Sequence, residues 1–125
     1  MTPHILFVDD EAPIREVLSL YFRKKGFAVT TATCGQEAMQ LMPQGPFHLV
    51  ILDMNLAGES GLKLLGFFKN NYPTLPVVVF TGMASDKSLL EQALAGGASA
   101  FMSKTEPLDK LFAEVNRHIS TQPRA

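Results

Sequence analysis

The sequence LVILD at residues 49–53 joins four consecutive apolar residues to a carboxylate. A β-strand alternates its side chains between two faces, so an uninterrupted apolar run indicates a strand that is buried on both faces. Strands of this kind are typical of parallel sheets that are covered by helices on either side. The run therefore predicts a central strand of an α/β protein, with Asp53 at the carboxyl end of that strand.

Three similar runs also lead into polar residues with useful chemistry. They are Ile5–Val8 before Asp9, Asp10 and Glu11, Val77–Phe80 before Thr81, and Ala100–Ser103 before Lys104. A fifth run, Ala28–Ala32, mixes apolar residues with threonine and fits an edge strand. In an open parallel sheet the carboxyl ends of the strands share one edge, where ligands bind. We therefore expect these polar side chains to lie close together.

The segments between the strands have helical periodicity, because their apolar residues recur at spacings of three and four. The predicted inward faces are Ile14, Val17, Leu18, Tyr21 and Phe22 in the first helix, Leu62, Leu65 and Phe68 in a helix over Gly61–Asn70, and Leu108, Leu111, Phe112, Val115 and Ile119 in the last. Two further helices are predicted over Gln36–Met42 and Ser85–Ala95. Strands that alternate with helices in this way predict a doubly wound α/β architecture.

The composition describes one globular domain. The 125 residues are 46% hydrophobic and carry a net charge of −1, which excludes a disordered chain and gives no general attraction to nucleic acid or anionic membranes. We expect a single domain over residues 1–125, with a core at about 4–119 and a flexible tail or linker stub at 120–125.

The cellular location is predicted from three features of the chain. The first strand begins by Ile5, which leaves no room for a signal peptide. No apolar stretch approaches the roughly 20 residues that cross a bilayer. The lone Cys34 cannot form an internal disulfide. We therefore expect a cytoplasmic protein.

The predicted edge of the sheet suits a metal-bound phosphoryl group. An ionised carboxylate such as Asp53 can attack phosphorus and form an aspartyl phosphate. Clustered acids repel each other, and Mg²⁺, a hard cation that prefers oxygen ligands, relieves that repulsion. Lys104 can neutralise a phosphoryl oxygen as a point charge, and Thr81 can donate a hydrogen bond to another.

Each of these residues also has an ordinary structural explanation. The acids before Pro13 can cap a helix, and Asp53 can be a turn residue. Thr81 can cap the helix that follows it, and Lys104 can be a solvated surface lysine. Four strand ends that carry complementary groups are hard to explain separately, so the combination favours the phosphoryl site.

In these residues the chain resembles a receiver domain of response regulators and is similar to the chemotaxis regulators. Receiver domains are the phosphoacceptor modules of two-component signalling. The resemblance covers Ile5 to Ile119. It rests on Asp9-Asp10, Asp53 with Gly61 eight residues later, Thr81-Gly82, Gly97-Ala98, and Phe101 three residues before Lys104. It implies a flavodoxin-like doubly wound (βα)5 sandwich whose five-stranded parallel sheet has the order 2-1-3-4-5.

The resemblance also implies roles for individual residues. Asp53 would be the phosphorylation site. Mg²⁺ would bind Asp9, Asp10, Asp53 and the main-chain carbonyl of Asn55. Thr81 and Lys104 would hold the phosphoryl oxygens, and Thr81 and Phe101 would act as the conformational switch.

The implied partner is a sensor histidine kinase or a histidine phosphotransfer protein. The implied output surface, formed by the fourth helix, fifth strand and fifth helix, would bind a downstream target or a second copy of the chain. A receiver of this kind is a signalling domain rather than a turnover enzyme, and it would bind neither nucleic acid nor membrane directly.

Two positions depart from the family pattern. Receivers commonly have a cis proline directly after the lysine, whereas Thr105 follows Lys104 here. A cis peptide before a non-proline residue costs roughly 2.5–4 kcal/mol, which disfavours the cis form here, and the sequence leaves open whether this peptide is cis or trans. Ala57 stands where proline is frequent in the loop after Asp53.

Three other functions fit these residues less well than a receiver does. A flavodoxin-like electron carrier needs hydroxyls and glycines around a phosphate in its first loop, where this chain has acids. A haloacid-dehalogenase-type phosphatase needs its nucleophile after the first strand and a second aspartate two residues later, where this chain has Glu11. A phosphorylation-independent interaction module does not need the complete set of acids, Thr81 and Lys104.

Overall fold

A computed structural model of the chain describes residues 2–56 and 58–120, so Ala57 and residues 121–125 of the tail predicted at 120–125 lie outside the described residues. The main strands are β1 His4–Val8, β2 Ala28–Ala32, β3 Leu49–Leu52, β4 Val77–Thr81 and β5 Ala100–Ser103. The α-helices are α1 Ala12–Lys24, α2 Gly35–Leu41, α3 Gly61–Asn71, α4 Lys87–Ala95 and α5 Leu108–Ser120. A 3-10 turn over Met42–Gln44 follows α2, and a hairpin of two short strands, Asn55–Leu56 and Glu59–Ser60, follows β3.

The five main strands form one parallel sheet in the order β2-β1-β3-β4-β5, so the predicted fold class and the predicted order 2-1-3-4-5 are confirmed. Val8, the last residue of β1, lies opposite Ala32 in β2 and Leu52 in β3. Because these strands end level with one another, the residues that follow them meet at one edge of the sheet.

Helices cover both faces of the sheet and create two hydrophobic cores. Alternate strand residues belong to different cores, as Leu6 and Phe7 of β1 show. The first core contains side chains of α2, α3 and α4, and the second contains side chains of α1 and α5. This arrangement explains the uninterrupted apolar runs, since each central strand needs an apolar side chain on either face.

The helix predictions need two corrections. Val17 was predicted to face inward, but it is 52% exposed, and Ser19 is buried instead. Residues adjacent in a helix differ by about 100° in direction, so with Leu18 and Phe22 against the sheet Val17 turns toward solvent. Helix α4 begins at Lys87 instead of the predicted Ser85, because the Asp86 carboxylate accepts a hydrogen bond from the Leu89 amide at 3.0 Å and caps the helix there.

Among the described residues, none of the helices combines the length and the apolarity that crossing a membrane requires.

Hydrogen bonds between His4 and His48 join β1 to the start of β3, at the edge of the sheet opposite the acidic residues. The His4 amide donates to His48 Nδ1 at 2.9 Å, and the His48 amide donates to the His4 carbonyl at 2.8 Å. His4 Nε2 lies 2.6 Å from Thr30 Oγ1 in β2. Burial and then the charge of His48 lower the pKa of His4 below its ordinary value, and they outweigh the hydrogen bond to the Pro46 backbone. Folding therefore favours the neutral form of His4.

We expect the free energy of unfolding to fall as the pH drops below about 6.5, because the unfolded chain binds a proton that folded His4 resists. Urea unfolding at several pH values between about 7.5 and 5.5 checks this expectation. The variant His4→Gln should show a shallower pH dependence over that range. Equal slopes for the two proteins would exclude His4 as the source.

The two-faced core also predicts a contrast between two leucines. Leu52→Ala in β3 should lower the free energy of unfolding by about 2–5 kcal/mol, because it leaves a cavity at a fully buried site. Leu20→Ala in α1 removes the same atoms from a side chain that is 61% exposed, and it should change that free energy by less than about 0.5 kcal/mol. Denaturant unfolding of both variants measures the difference, and similar losses would contradict the observed packing.

Candidate functional site

Backbone hydrogen bonds bring Asp9 and Asp53 together at the edge of the sheet. The Asp9 amide donates to the Ala32 carbonyl at 3.1 Å, and the Asp53 amide donates to the Val8 carbonyl at 3.0 Å. The pairing of the strands therefore continues one residue beyond each of them. Asp9 is fully buried and Asp53 is 3% exposed. The sheet itself holds both carboxylates in place, close to each other and away from bulk water.

Asp10 completes an acidic cluster at this edge. One carboxylate oxygen from each of Asp9, Asp10 and Asp53 lies within 4.8 Å of the others, and Asp10 stands on the exposed side. Three carboxylates at this separation repel one another strongly where water is scarce. Their hard oxygen atoms form the type of ligand set that Mg²⁺ and similar cations prefer. The cluster is therefore capable of holding a metal ion.

Lys104, which follows β5, places its ammonium group among the acids. Lys104 Nζ lies 2.8 Å from Asp9 Oδ2, 3.1 Å from Asp53 Oδ2 and 3.4 Å from Glu11 Oε2. The contact between Lys104 Nζ and Asp9 Oδ2 is short enough for an ion pair, but its angles are not those of a hydrogen bond. Among the described residues, the buried Asp9 Oδ2 therefore has an ion-pair partner and no hydrogen-bond partner. A single ammonium therefore faces several carboxylates, and the pocket stays negative enough to attract a further cation.

The pKa values of Asp9 and Lys104 are both raised, for different reasons. Burial raises the pKa of Asp9, although the Lys104 ammonium and the Glu11 amide, which donates to Asp9 Oδ1 at 2.9 Å, both oppose the shift. Burial alone would lower the pKa of Lys104, but the nearby carboxylates of Asp9 and Asp53 outweigh it and raise that pKa above its ordinary value. Lys104 thus remains a cation at neutral pH.

Thr81 occupies the end of β4 at the same edge and is fully buried. Its hydroxyl oxygen accepts a hydrogen bond from the Met83 amide at 3.1 Å, and its carbonyl accepts one from the Lys104 amide at 3.0 Å. A threonine hydroxyl that accepts one hydrogen bond still has its own proton to donate. The alternative that Thr81 caps the next helix is wrong, because Asp86 caps α4.

The capping explanation for the acids is also incomplete. Glu11 occupies the N-cap position of α1, but within the described ranges its side chain makes no capping hydrogen bond. Its carboxylate approaches Lys104 instead. Asp53 does accept a hydrogen bond from the Asn55 amide at 3.3 Å, in the manner of a turn residue, while its other oxygen faces Lys104. The Asn55 amide and the Lys104 ammonium therefore contact different oxygen atoms of Asp53.

The hairpin after Asp53 was not predicted from the sequence. Asn55 pairs with Ser60, and Leu56 pairs with Glu59. The sequence feature that could have predicted the hairpin is Gly58, which adopts a φ of 87°, a backbone conformation that favours glycine. Gly61 closes the base of the hairpin, where a Cβ atom would lie 2.4 Å from Met54 Cα, so the close approach requires glycine at this position.

The structure thus brings Asp9, Asp10, Asp53 and Lys104 together, and it places Asn55 beside Asp53 along the chain. Phe101 is partly buried in β5 and packs against the first core. The peptide after Lys104, which the sequence left open, is trans, since among the described residues Gly45–Pro46 has the one cis bond.

Comparison with known proteins places the chain in one family. Residues 5–116 match the family described as response regulator receiver domain. Response regulator protein PilR of Pseudomonas aeruginosa is 35% identical over 106 residues, which are 85% of this chain and 24% of PilR. Uncharacterized transcriptional regulatory protein YkoG of Bacillus subtilis is 32% identical over 112 residues, which are 90% of this chain and 49% of YkoG. The chain therefore spans half or less of the length of these two relatives.

Solved structures agree with the family match. Response regulator protein TrrA from Thermotoga maritima, solved in complex with Mg(2+)-BeF, has a TM-score of 0.84 at 30% identity and covers 94% of this chain and 99% of its own. A response regulator receiver domain protein (CheY-like) from Methanospirillum hungatei JF-1 has a TM-score of 0.90 over 98% of this chain and 97% of its own. At 24% identity the second structure supports the fold alone.

The buried ion pairs predict a large effect of Lys104 on stability. Lys104→Met leaves the fully buried Asp9 without its cation, and at neutral pH without divalent metal it should lower the free energy of unfolding by about 3 kcal/mol. Lys110→Met is the matched control, because Lys110 is 67% exposed and pairs with Glu106 on the surface, where a loss below about 1 kcal/mol is expected. Equal losses in denaturant unfolding would contradict the role of Lys104 as counter-ion.

Proposed function

This chain belongs to the response regulator receiver domain family, and we propose that Asp53 is the residue that accepts its phosphoryl group. It is a phosphoacceptor signalling domain with an acidic pocket of Asp9, Asp10, Asp53 and Lys104, rather than a turnover enzyme. The observation that carries the proposal is the buried Asp53 carboxylate, which stands 3.1 Å from Lys104 Nζ inside the acidic cluster.

The proposed reaction transfers a phosphoryl group from a phosphohistidine to Asp53. A carboxylate oxygen of Asp53 forms a bond to phosphorus as the bond between phosphorus and the histidine nitrogen breaks, and the imidazole leaves. Lys104 neutralises charge on one phosphoryl oxygen, and the Thr81 hydroxyl donates a hydrogen bond to another. Both groups are held by the sheet before the donor arrives, so positioning and electrostatics supply the rate acceleration.

The proposed cofactor is Mg²⁺, held by Asp9, Asp10, Asp53 and the main-chain carbonyl of Asn55. When bound, Mg²⁺ supplies positive charge that screens the carboxylates from the incoming phosphoryl oxygens. Two features of the chain support this choice: the clustered carboxylate oxygens, and the excess of these acids over the single ammonium of Lys104 that contacts them. The similarity to TrrA, solved with Mg(2+)-BeF, supports the same ion.

The proposed switch connects the pocket to a distant surface. Thr81 pairs with Ser103 across β4 and β5, and Phe101 stands two residues before Ser103, opposite Val79. Phosphorylation draws Thr81 toward the phosphoryl group, and the partly buried ring of Phe101 then turns into the space released. This movement repacks the surface formed by α4, β5 and α5, which we propose as the site for a downstream target or a second copy.

The receiver family implies a histidine kinase as partner, and we propose that a sensor histidine kinase or a histidine phosphotransfer protein is the donor. We also propose that residues 1–125 form a single receiver domain with its core at about 4–119, and that this domain contacts neither nucleic acid nor membrane itself. The cytoplasmic location and the flexible tail remain predictions from the sequence.

The acceptor role predicts a single modification that depends on Asp53 and on metal. The protein incubated with Mg²⁺ and a small acyl phosphate should gain the mass of one phosphoryl group, and a chelator should abolish the gain. Asp53→Asn keeps the shape of the side chain without the nucleophilic carboxylate, so it should gain nothing. Intact-mass spectrometry measures all three samples. The same adduct on Asp53→Asn, or a gain that persists with the chelator, would contradict the proposal.

A further inference from the structure

Glu59, in the hairpin after Asp53, makes a hydrogen bond that the proposed reaction does not use. Its Oε1 atom accepts the Gly35 amide at 2.8 Å. Gly35 is the first residue of α2 and is buried, so this bond ties the hairpin to a different part of the chain. A hydrogen bond from an amide to a carboxylate is one of the stronger kinds in proteins.

Within the part of the chain that the structure describes, the Gly35 amide does not receive a hydrogen-bond acceptor from the N-cap side chain of its own helix. Cys34 occupies the N-cap position, and within the described ranges its side chain makes no capping hydrogen bond. The first amide of a helix has no acceptor within the helix, so it needs one from elsewhere. Glu59 provides that acceptor from 24 residues away.

The Glu59 carboxylate also lies close to the position that a side chain at residue 35 would occupy. A Cβ atom built on Gly35 would lie 2.9 Å from Glu59 Oε1, which is closer than a carbon and an oxygen pack. The next nearest atoms, in the Leu64 side chain, would be at ordinary contact distances of 3.7 and 3.8 Å. A methyl group at this position therefore conflicts with the Glu59 carboxylate in particular.

Contacts between described residues hold the hairpin that contains Asn55. The Gly61 amide donates to the Met54 carbonyl at 3.0 Å at its base, and the fully buried Leu56 anchors one strand. Glu59 pairs with Leu56 across the hairpin, next to the pair of Asn55 and Ser60. The bond from Glu59 to Gly35 thus restrains the second strand from outside the hairpin.

We propose that Glu59 is a positioning residue for the metal site: by binding Gly35 it holds the hairpin so that Asn55, whose amide donates to Asp53 Oδ1 at 3.3 Å, stays beside Asp53. Glu59 acts through Asn55 and is not itself a metal ligand. This inference rests on the proposed function, in which Asn55 contributes its carbonyl to Mg²⁺.

The test compares Mg²⁺ dissociation constants, measured by isothermal titration calorimetry, for four variants and the natural protein. Residues that support metal ligands from outside typically contribute about 10-fold or more to affinity, so Glu59→Ala should weaken binding about 10-fold. Glu59→Gln keeps an acceptor oxygen and should recover most of that loss. Glu91→Ala is the matched control, because it removes another exposed glutamate, on α4, and should bind as the natural protein does.

The variant Gly35→Ala tests the hydrogen bond between Glu59 and Gly35, called the tether below. It disturbs that bond without removing the charge of Glu59 and without lowering the stability of the helix. The added methyl group displaces the Glu59 carboxylate but keeps its charge, and alanine is the better helix former. We expect it to weaken Mg²⁺ binding as Glu59→Ala does, without loss of thermal stability. Hydrogen exchange in the metal-free protein gives an independent reading: the Gly35 amide should exchange faster in Glu59→Ala, while the central strands stay protected.

The outcomes distinguish this inference from the proposed function. If the natural protein binds Mg²⁺ and Glu59→Ala binds equally well, the positioning role is wrong and the metal site stands. If Glu59→Gln loses as much as Glu59→Ala while Gly35→Ala loses nothing, Glu59 acts by its charge and the tether is wrong. If the natural protein does not bind Mg²⁺, the metal site itself is wrong and the inference falls with it.

Discussion

The crowding of the carboxylates of Asp9, Glu11 and Asp53 around the partly buried ammonium of Lys104 is the constraint on which the rest of this protein depends. Backbone hydrogen bonds beyond β1 and β3 hold Asp9 and Asp53 where they repel each other, and Lys104 is the cation that makes this arrangement tolerable. Such a cluster is costly in a protein without a use for it. The same features make it suitable for a divalent cation and a phosphoryl group, which add the charges and oxygen atoms that the pocket lacks.

The fold keeps this cluster in place by burying the sheet on both faces. Apolar side chains of the central strands pack against α2, α3 and α4 on one side and against α1 and α5 on the other. Close-packed cores of this kind deform little, so repulsion at the edge cannot be relieved by separating the strands. The loops beyond the strands have more freedom, and the hairpin after Asp53 is held by a small number of specific contacts.

Much of this arrangement follows from the sequence, because it depends on regular patterns. Apolar runs located the strands, and parallel strand order then placed Asp9, Asp53, Thr81 and Lys104 at one edge. Contacts that depend on one side chain were not predictable in this way. Val17 has the spacing of a core residue but turns to solvent, and Asp86 moves the start of α4. The bond from Glu59 to Gly35 joins residues 24 apart and has no periodic signal at all.

The most direct test of the pocket is its response to beryllofluoride, a stable mimic of the phosphoryl group. Amide NMR spectra would be recorded with Mg²⁺ alone, with beryllofluoride alone and with both together. Binding at the acidic cluster predicts large shifts at the amides of Asp10, Asp53, Thr81 and Lys104 that appear fully only when both are present, followed by smaller shifts along α4, β5 and α5. Spectra that stay unchanged with both present, or that change equally without Mg²⁺, would contradict a metal-dependent phosphoryl site at Asp53.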